Sequence, residues 1–228
     1  MNLLHDLERE RVYWLQQQQA PASAIEVMAM EFLRRAGIEG KALRVGERAP
    51  SFRLPDQHGQ LVELSTLLAQ GPTVLVFYRG HWCPFCSLTL RSYRQAAFQF
   101  AALRSPMVAI SPQGAIATSL TAASVGEGLP LLSDVGSHVA RAYGLAYDLP
   151  AALKGLFEGE YATHLPEINA DGGWTLPVAA TYVIAQNGIV LRAHVDVDFR
   201  HREDPEALLD WLANYHRADE SQTGQGLA

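Results

Sequence analysis

The stretch Val74-Leu75-Val76-Phe77-Tyr78-Arg79-Gly80-His81-Trp82-Cys83-Pro84-Phe85-Cys86 contains the only two cysteines of the chain. It begins with an apolar run that is rich in β-branched and aromatic side chains, which predicts a buried strand over residues 73–78. A helical pattern begins near Leu88, so both thiols fall at a strand-to-helix turn. The positive end of a helix dipole favours a thiolate, the form that attacks peroxides and disulfides. The stretch therefore predicts thiol chemistry.

Composition limits the classes of partner. The 228 residues are 48% hydrophobic and 18% charged, as is ordinary for a globular protein. A net charge of -6 and the lack of a basic run argue against nucleic acid or an anionic membrane surface as a partner. We see neither a signal-peptide pattern nor a membrane-spanning apolar stretch. Two cysteines are too few for a disulfide scaffold, so we expect redox or metal chemistry in a cytoplasmic, reduced setting.

Residues 1–44 form a predicted N-terminal helical extension. Ser23-Ala24-Ile25-Glu26 matches a capping box, and apolar residues then recur at helical spacing until Gly37 provides a stop. We interpret this extension as a packing element or a dimer contact rather than as part of a catalytic site.

Residues 45–217 form a predicted α/β domain, and residues 218–228 a flexible tail. Strands are expected at 73–78, 107–110 and 130–132, with helices at 88–105, 113–124 and 134–143. Asn187-Gly188 joins two further strands as a hairpin, and Asp204-Pro205 opens a helix that runs to about His216. Residues 146–175 are interpreted as an insertion or long loop over the active site. This pattern predicts a sheet with helices on both faces and at least one antiparallel pair.

The cysteine motif has a predicted local geometry. Pro84 suits the first helical turn, which places Cys83 near the N-cap and Cys86 beside free backbone N–H groups. Arg79 and His81 add cationic character nearby. Trp82 is interpreted as a residue that packs against the thiols and shields them.

Several segments of the chain resemble a known family. Trp82-Cys83-Pro84-Phe85-Cys86 resembles the dithiol motif of the thioredoxin fold, and residues 45–211 resemble peroxiredoxin-like (AhpC/TSA) proteins that keep a C-x-x-C. The matching segments are Val45–Leu54, Phe77–Tyr78, Ile110–Pro112, Leu131–Asp134, Val139–Gly144 and Thr181–Ile184. The resemblance implies a thioredoxin-like fold, a mixed central sheet flanked by helices.

The resemblance also implies roles for the two thiols. Counting from Phe77-Tyr78, Cys86 takes the position of the peroxide-attacking cysteine, Cys83 takes a Thr position, and Arg79 replaces a proline. In thioredoxin-like reductases the first cysteine of the pair, here Cys83, is instead the nucleophile. Both assignments stay open from the residues alone.

Two positions depart from the family patterns. The arginine that supports the thiolate in peroxiredoxins is Ala179 here, and the thioredoxin-like cis-proline position is Ala180, with Pro177 nearby but out of register. Arg200 or Arg202 could replace the missing cation.

The resulting expectation is a thiol-dependent antioxidant oxidoreductase. Cys86 would reduce hydrogen peroxide or organic hydroperoxides and become a sulfenic acid, which Cys83 would resolve by forming a disulfide with Cys86. An external thioredoxin- or glutaredoxin-like dithiol would then reduce this disulfide. The alternatives are a dithiol–disulfide reductase with Cys83 as nucleophile and a non-catalytic redox sensor. We expect no cofactor and no metal, since His81 and the two thiols lack the fourth ligand of a structural zinc site. The resemblance also implies a homodimer.

A second group of polar residues follows the hairpin. These are His194, Asp196, Asp198 and His201, whose alternation we interpret as a solvated strand face.

Overall fold

The strand that precedes the cysteines lies at the centre of a five-stranded sheet in the computed structural model, which describes residues 2–17 and 20–224. The strands are β1 (Arg53–Pro55), β2 (Leu61–Glu63), β3 (Thr73–Phe77), β4 (Met107–Ser111), β5 (Leu131–Ser133), β6 (Ala146–Asp148), β7 (Thr175–Pro177), β8 (Ala180–Ile184) and β9 (Val190–Val195). The central sheet has the order β5-β4-β3-β8-β9, with β3, β4 and β5 parallel and β8 and β9 added antiparallel. The predicted hairpin and mixed sheet are confirmed.

Helices flank this sheet. They are α1 (Leu3–Gln17), α2 (Ala20–Arg35), α3 (Ile38–Lys41), α4 (Leu64–Leu68), α5 (Pro84–Gln95), α6 (Ala97–Ala102), α7 (Ala115–Val125), α8 (His138–Ala142), α9 (Ala151–Glu158), α10 (Leu165–Ile168) and α11 (Pro205–Gly224). None of the helices in the described part of the chain has the length and apolar character needed to cross a membrane.

Strand β3 is buried on both of its faces. Leu75 and Phe77 contribute to one apolar cluster, and Val74 and Val76 contribute to a second cluster on the opposite face. Burying each side chain of this size contributes about 1.5–3 kcal/mol. A strand with two buried faces carries a continuous apolar run, which is the pattern that predicted it. Its carboxyl end therefore holds the cysteine turn on a rigid support.

The N-terminal extension packs onto the rest of the molecule, with α1 against α5 and α2 against α9. The predicted helix start at Ser23 is wrong, because α2 begins at Ala20 and Ser23 lies inside it. The predicted stop is confirmed, since Gly37 adopts a left-handed conformation with φ of 66° after the helix ends. Gln18 and Gln19 lie outside the described residues.

The prediction of a long loop at 146–175 is wrong. The segment contains β6, α9, α10 and the start of β7, with β6 and β7 paired as a small antiparallel sheet. Its helices are short, and Gly155 lies in the middle of α9, so the apolar residues Leu153, Leu156 and Phe157 recur at helical spacing over little more than one turn. Leu153, Leu156 and Phe157 form a third apolar cluster with residues that include Ala29 of α2.

Three helix boundaries differ from their predictions. The helix after the cysteines breaks at Ala96, where ψ is -2°, and so becomes α5 and α6. Helix α8 begins at His138 rather than at Asp134, because the Asp134 carboxylate accepts the N–H groups of Val139 and Ala140 at 3.0 and 2.9 Å. Helix α11 continues to Gly224 and overlaps the predicted tail of residues 218–228, of which 225–228 lie outside the described residues.

Candidate active site

The two cysteines occupy the predicted positions at the start of α5. Cys83 is the N-cap residue, with φ of -93° and ψ of 111°, and Pro84 takes the first helical position, where its missing N–H costs nothing. The Cys83 carbonyl accepts the N–H of Ser87 at 3.1 Å. Cys86 therefore lies in the first turn, where free N–H groups and the helix dipole favour negative charge.

The Cys86 sulfur is surrounded by hydrogen-bond donors. The backbone N–H of Arg79 lies 3.4 Å from it, and Nη2 of Arg202 lies 3.6 Å from it. Burial alone would raise the pKa of the Cys86 thiol. The hydrogen bond from the Cys83 thiol, the two guanidinium charges and the Arg79 N–H together hold that pKa well below its usual range. The surroundings of the buried Cys86 sulfur therefore favour the thiolate.

Cys83 has the opposite protonation state. Burial, the hydrogen bond that it makes with Cys86 and the negative charge there raise the pKa of the Cys83 thiol well above its usual range. Arg79 Nη1 lies 3.9 Å from the Cys83 sulfur and only partly offsets these effects. The arrangement thus favours a thiolate at Cys86 that accepts a hydrogen bond from a protonated thiol at Cys83.

Arg202 places a cation beside the Cys86 sulfur, where the arginine position of the family is Ala179. It follows β9 and is 9% exposed, and its Nη1 donates to the His201 carbonyl at 2.9 Å. The adjacent Glu203 fixes this backbone, because its carboxylate pairs with Arg192 at 2.6 Å. Of the two arginines named as substitutes, Arg202 reaches the sulfur.

The other arginine, Arg200, contacts Asp198 rather than either thiol. Nε and Nη2 of Arg200 donate to the two carboxylate oxygens of Asp198, each at 2.7 Å. Asp198 is 6% exposed, so the interpretation of this position as part of a solvated strand face is wrong. Asp196 pairs instead with the exposed His201 at 2.8 Å. These ion pairs brace the loop that carries Arg202.

Arg79 is buried between two aromatic rings, in the position where the resemblance implies a proline. Its guanidinium carbon lies 4.8 Å from the centre of the Trp82 ring and 4.1 Å from that of Phe199. Cation–π contacts of this kind are strongest when the cation is desolvated. Aromatic packing therefore holds the charge beside the sulfurs.

His81 makes its hydrogen bonds with Gln113. Its ring Nδ1 and its backbone N–H both contact Oε1 of Gln113 at 2.7 Å. An amide oxygen only accepts, so Nδ1 carries the proton in this arrangement. Gln113 is fully buried and its Nε2 donates to Tyr78 and Thr121 at 3.3 and 2.8 Å. Gln113 thus anchors the cysteine loop, a role that no local sequence pattern indicated.

A small cavity of about 190 Å³ opens onto Cys83. Trp82 lines it and packs edge-to-face on Phe157 with 5.0 Å between ring centres. The remaining lining residues are Trp14, Glu26, Arg79, Pro84, Tyr161, Thr163 and Phe199. Cys86 is not part of this wall and is 0% exposed. The cavity therefore gives access to Cys83 first.

The N-terminal extension contributes to this cavity, although packing or dimer contact was the only role predicted for it. Trp14 of α1 packs against Phe85 with 6.3 Å between ring centres. Glu26 of α2 is 6% exposed, and its carboxylate accepts Tyr161 Oη at 2.7 Å and Trp14 Nε1 at 3.2 Å. The segment at 146–175 supplies Tyr161. The sequence thus underestimates the extension, whereas the expected place of residues 146–175 is over the active site.

Residues 2–17 and 20–224 contain no group of three or more His, Cys, Asp or Glu side chains placed to hold a metal ion. A larger, open depression of about 850 Å³ lies beside Asn187 at the β8–β9 turn, and no thiol lines it.

Comparison with known proteins gives one family and several relatives. The AhpC/TSA family matches residues 45–193. The relative named "Putative peroxiredoxin Rv1608c", from Mycobacterium tuberculosis strain H37Rv, is 35% identical over 111 residues, which are 49% of this chain and 72% of the relative. Peroxiredoxin Q, chloroplastic, of Triticum aestivum is 30% identical over 138 residues, which are 60% of this chain and 63% of the relative.

Solved structures show the same architecture. The crystal structure of peroxidoxin BcpB from Mycobacterium tuberculosis superposes with a TM-score of 0.59 at 27% identity, covering 75% of this chain and 97% of that one. The mitochondrial 2-Cys peroxiredoxin of Plasmodium falciparum gives 0.59 at 16% identity, covering 78% of this chain and 98% of that one, and shows the fold alone. The thioredoxin-like fold expected from the sequence is confirmed.

Proposed function

The chain belongs to the AhpC/TSA family, and we propose that it is a thiol-dependent peroxidase in which Cys86 attacks the peroxide and Cys83 resolves the product. The observation that carries this assignment is the set of donors at the Cys86 sulfur, where the Arg79 N–H lies 3.4 Å away and Nη2 of Arg202 lies 3.6 Å away; these contacts favour the thiolate. A thiolate is the nucleophile in such reactions, and positioned donors also stabilise charge that develops on the leaving oxygen.

The reaction proceeds in two covalent steps. The Cys86 thiolate attacks the terminal oxygen of the peroxide, the O–O bond breaks, and the departing alkoxide or hydroxide takes a proton. The product is a sulfenic acid on Cys86. Cys83 then loses its proton and attacks the Cys86 sulfur, a disulfide forms, and the sulfenic hydroxyl leaves as water. Because the thiols are already in hydrogen-bond contact, closure needs little rearrangement.

A thiol reductant then returns the disulfide to the dithiol state. The protein dithiol expected from the resemblance is one such reductant. The homodimer and the cytoplasmic location both stay predictions.

The alternative function is a dithiol–disulfide reductase with Cys83 as nucleophile. One observation favours it: Cys83 lines the cavity, whereas Cys86 does not. The protonation states oppose it, because the pKa of the Cys83 thiol is raised and that of Cys86 is lowered. The reactive thiol should therefore be Cys86, reached by a peroxide small enough to pass beside Cys83.

Single-cysteine variants separate these functions. Cys83→Ser and Cys86→Ser are each exposed to hydrogen peroxide with a sulfenic-acid trap, and the tagged peptides are identified by mass spectrometry. We expect the tag on Cys86 in Cys83→Ser, and the wild-type protein to form the Cys83–Cys86 disulfide instead. A tag that appears on Cys83 in the other variant at an equal or higher rate would overturn the assignment. If neither thiol reacts faster than free cysteine, the redox-sensor alternative is favoured.

A further inference from the structure

The cavity beside Cys83 is small and closed in by the N-terminal extension. Its volume of about 190 Å³ lies below the range of about 300–1,000 Å³ that drug-sized ligands occupy. Cys83 is only 1% exposed, and Trp14, Glu26 and Tyr161 stand in the surrounding wall. A protein that brings its own cysteine to Cys83 must displace these side chains. A molecule of a few heavy atoms does not.

Oxidation changes the charge of this site. In the dithiol state the Cys86 thiolate offsets the buried guanidinium groups of Arg79 and Arg202. When the disulfide forms, that negative charge is lost. Glu26 is the acidic residue that remains in the cavity wall near Arg79, so the charge of the two buried cations is only partly balanced. Arg79 Nε and Trp82 Nε1 also have no hydrogen-bond partner among the described residues. The oxidised cavity therefore favours an incoming anion such as a thiolate.

A second charge in the cavity wall limits the kind of thiol. Glu26 is buried and already accepts hydrogen bonds from Trp14 and Tyr161, which hold its carboxylate in place. A carboxylate can accept up to about four hydrogen bonds, so it retains capacity for an ammonium group. A ligand that carries both a thiolate and an ammonium group matches Arg79 on one side and Glu26 on the other.

From these features we propose that the cavity binds a low-molecular-weight aminothiol, which reduces the Cys83–Cys86 disulfide. This inference rests on the proposed function in requiring that disulfide. The aminothiolate attacks the Cys83 sulfur, the S–S bond breaks, and its electron pair passes to Cys86, which leaves as a thiolate. Cys86 is the better leaving group because its thiol pKa is low.

A second aminothiol completes the reduction. Its thiolate attacks the ligand sulfur of the mixed disulfide, and the two small molecules leave as their own disulfide. The two aminothiol molecules thus lose two protons and two electrons, and the electrons reduce the Cys83–Cys86 disulfide. Cys83 takes one proton, the other passes to solvent, and Cys86 remains ionised.

The test uses the full chain, oxidised to the disulfide with diamide so that no peroxidase activity is needed. Cysteamine and 2-mercaptoethanol form a matched pair of probes, since they differ in carrying an ammonium group or a hydroxyl group. Tryptophan fluorescence, reported by Trp82 beside the disulfide, follows reduction in a stopped-flow instrument. Rate constants are divided by the thiolate fraction of each probe.

We expect cysteamine to reduce the wild-type disulfide about tenfold faster per thiolate than 2-mercaptoethanol does, a ratio that corresponds to about 1.4 kcal/mol. Glu26→Gln should bring the ratio to within about twofold. Glu31→Gln, an exposed glutamate on the same helix, should leave the ratio at its wild-type value. Thr163→Leu should slow both probes by filling the cavity, whereas Thr66→Leu, at an exposed position of α4, should not.

Two outcomes would overturn the proposal without any variant. One is an equal rate per thiolate for the two probes on the wild-type protein. The other is faster reduction by a thioredoxin-type protein than by cysteamine at equal concentration, which would assign the reductant as a protein dithiol. The reaction of the reduced protein with hydrogen peroxide is measured separately. Failure of that step alone would refute the proposed peroxidase function. It would leave the comparison between cysteamine and 2-mercaptoethanol as reductants of the disulfide unchanged.

Discussion

Arg202 is the side chain whose replacement tests the electrostatics of the site most sharply. Its Nη2 lies 3.6 Å from the Cys86 sulfur in a buried setting. A hydrogen bond to a charged group contributes about 1.5–3 kcal/mol, and one pKa unit corresponds to about 1.36 kcal/mol. Arg202→Met removes the charge and keeps most of the volume. It should therefore raise the pKa of the Cys86 thiol by about one to two units.

The assay is the pH dependence of alkylation by iodoacetamide, with Cys83 and Cys86 peptides resolved by mass spectrometry. The midpoint of the Cys86 rate profile gives its pKa even where burial slows the reaction at every pH. Arg202→Lys keeps the charge but loses the planar fork, so we expect a smaller shift. Arg200→Met is the matched control, because Arg200 belongs to the same loop but pairs with Asp198.

The reasoning would be refuted by an unchanged midpoint for Cys86 in Arg202→Met. An equal shift in Arg200→Met would also refute it, since the effect would then come from a disturbed loop rather than from the contact with sulfur. Circular dichroism of each variant checks that the fold is retained.

Three further predictions concern stability and the cavity wall. Because folding lowers the pKa of Cys86, its contribution to stability is complete above about pH 8.5 and is lost as the pH falls through the folded-state pKa. Denaturant unfolding should show the difference between wild type and Cys86→Ala shrinking toward acid, and a constant difference would contradict this. Gln113→Leu should lower the free energy of unfolding by about 1–3 kcal/mol for each buried partner left unsatisfied, measured by urea unfolding. A loss near zero would show that the Gln113 side chain does not anchor the cysteine loop. Gly80→Ala should change the near-ultraviolet circular dichroism, because the new Cβ would meet Trp82 Nε1 and displace the indole, whereas Gly155→Ala has open space and should not.

The central fold could be predicted because its signals are local. The apolar run of β3 and the Asn187-Gly188 turn each lie within one short segment. Strand β3 and the hairpin of β8 and β9 are both confirmed. The same holds for the start of α5, where Pro84 and the neighbouring Cys83 specify the cap. The segment at 146–175 escaped prediction since its helices are short and its stability comes from packing against distant residues.

The surroundings of the thiols could be predicted only in part. The two cysteines and the candidate cation Arg202 were identified from the sequence, but the contact of Arg202 with Cys86 joins positions 116 residues apart. Gln113 and Glu26 were missed as parts of the site, because a lone glutamine carries no pattern that marks it as buried and Glu26 was assigned to a capping box. His81 lies next to the motif in sequence, yet its hydrogen bonds direct it to Gln113. Proximity along the chain was therefore a poor guide to contact.

The second-order rate constant for hydrogen peroxide, measured on Cys83→Ser and on Cys86→Ser, tests the central assignment most directly. The account predicts that Cys83→Ser, which retains Cys86 with Arg79 and Arg202, reacts at least about a hundredfold faster than free cysteine, the size of effect that one well-placed donor contributes. It predicts that Cys86→Ser reacts no faster than free cysteine. Equal rates for the two variants, or a faster reaction at Cys83, would contradict the account.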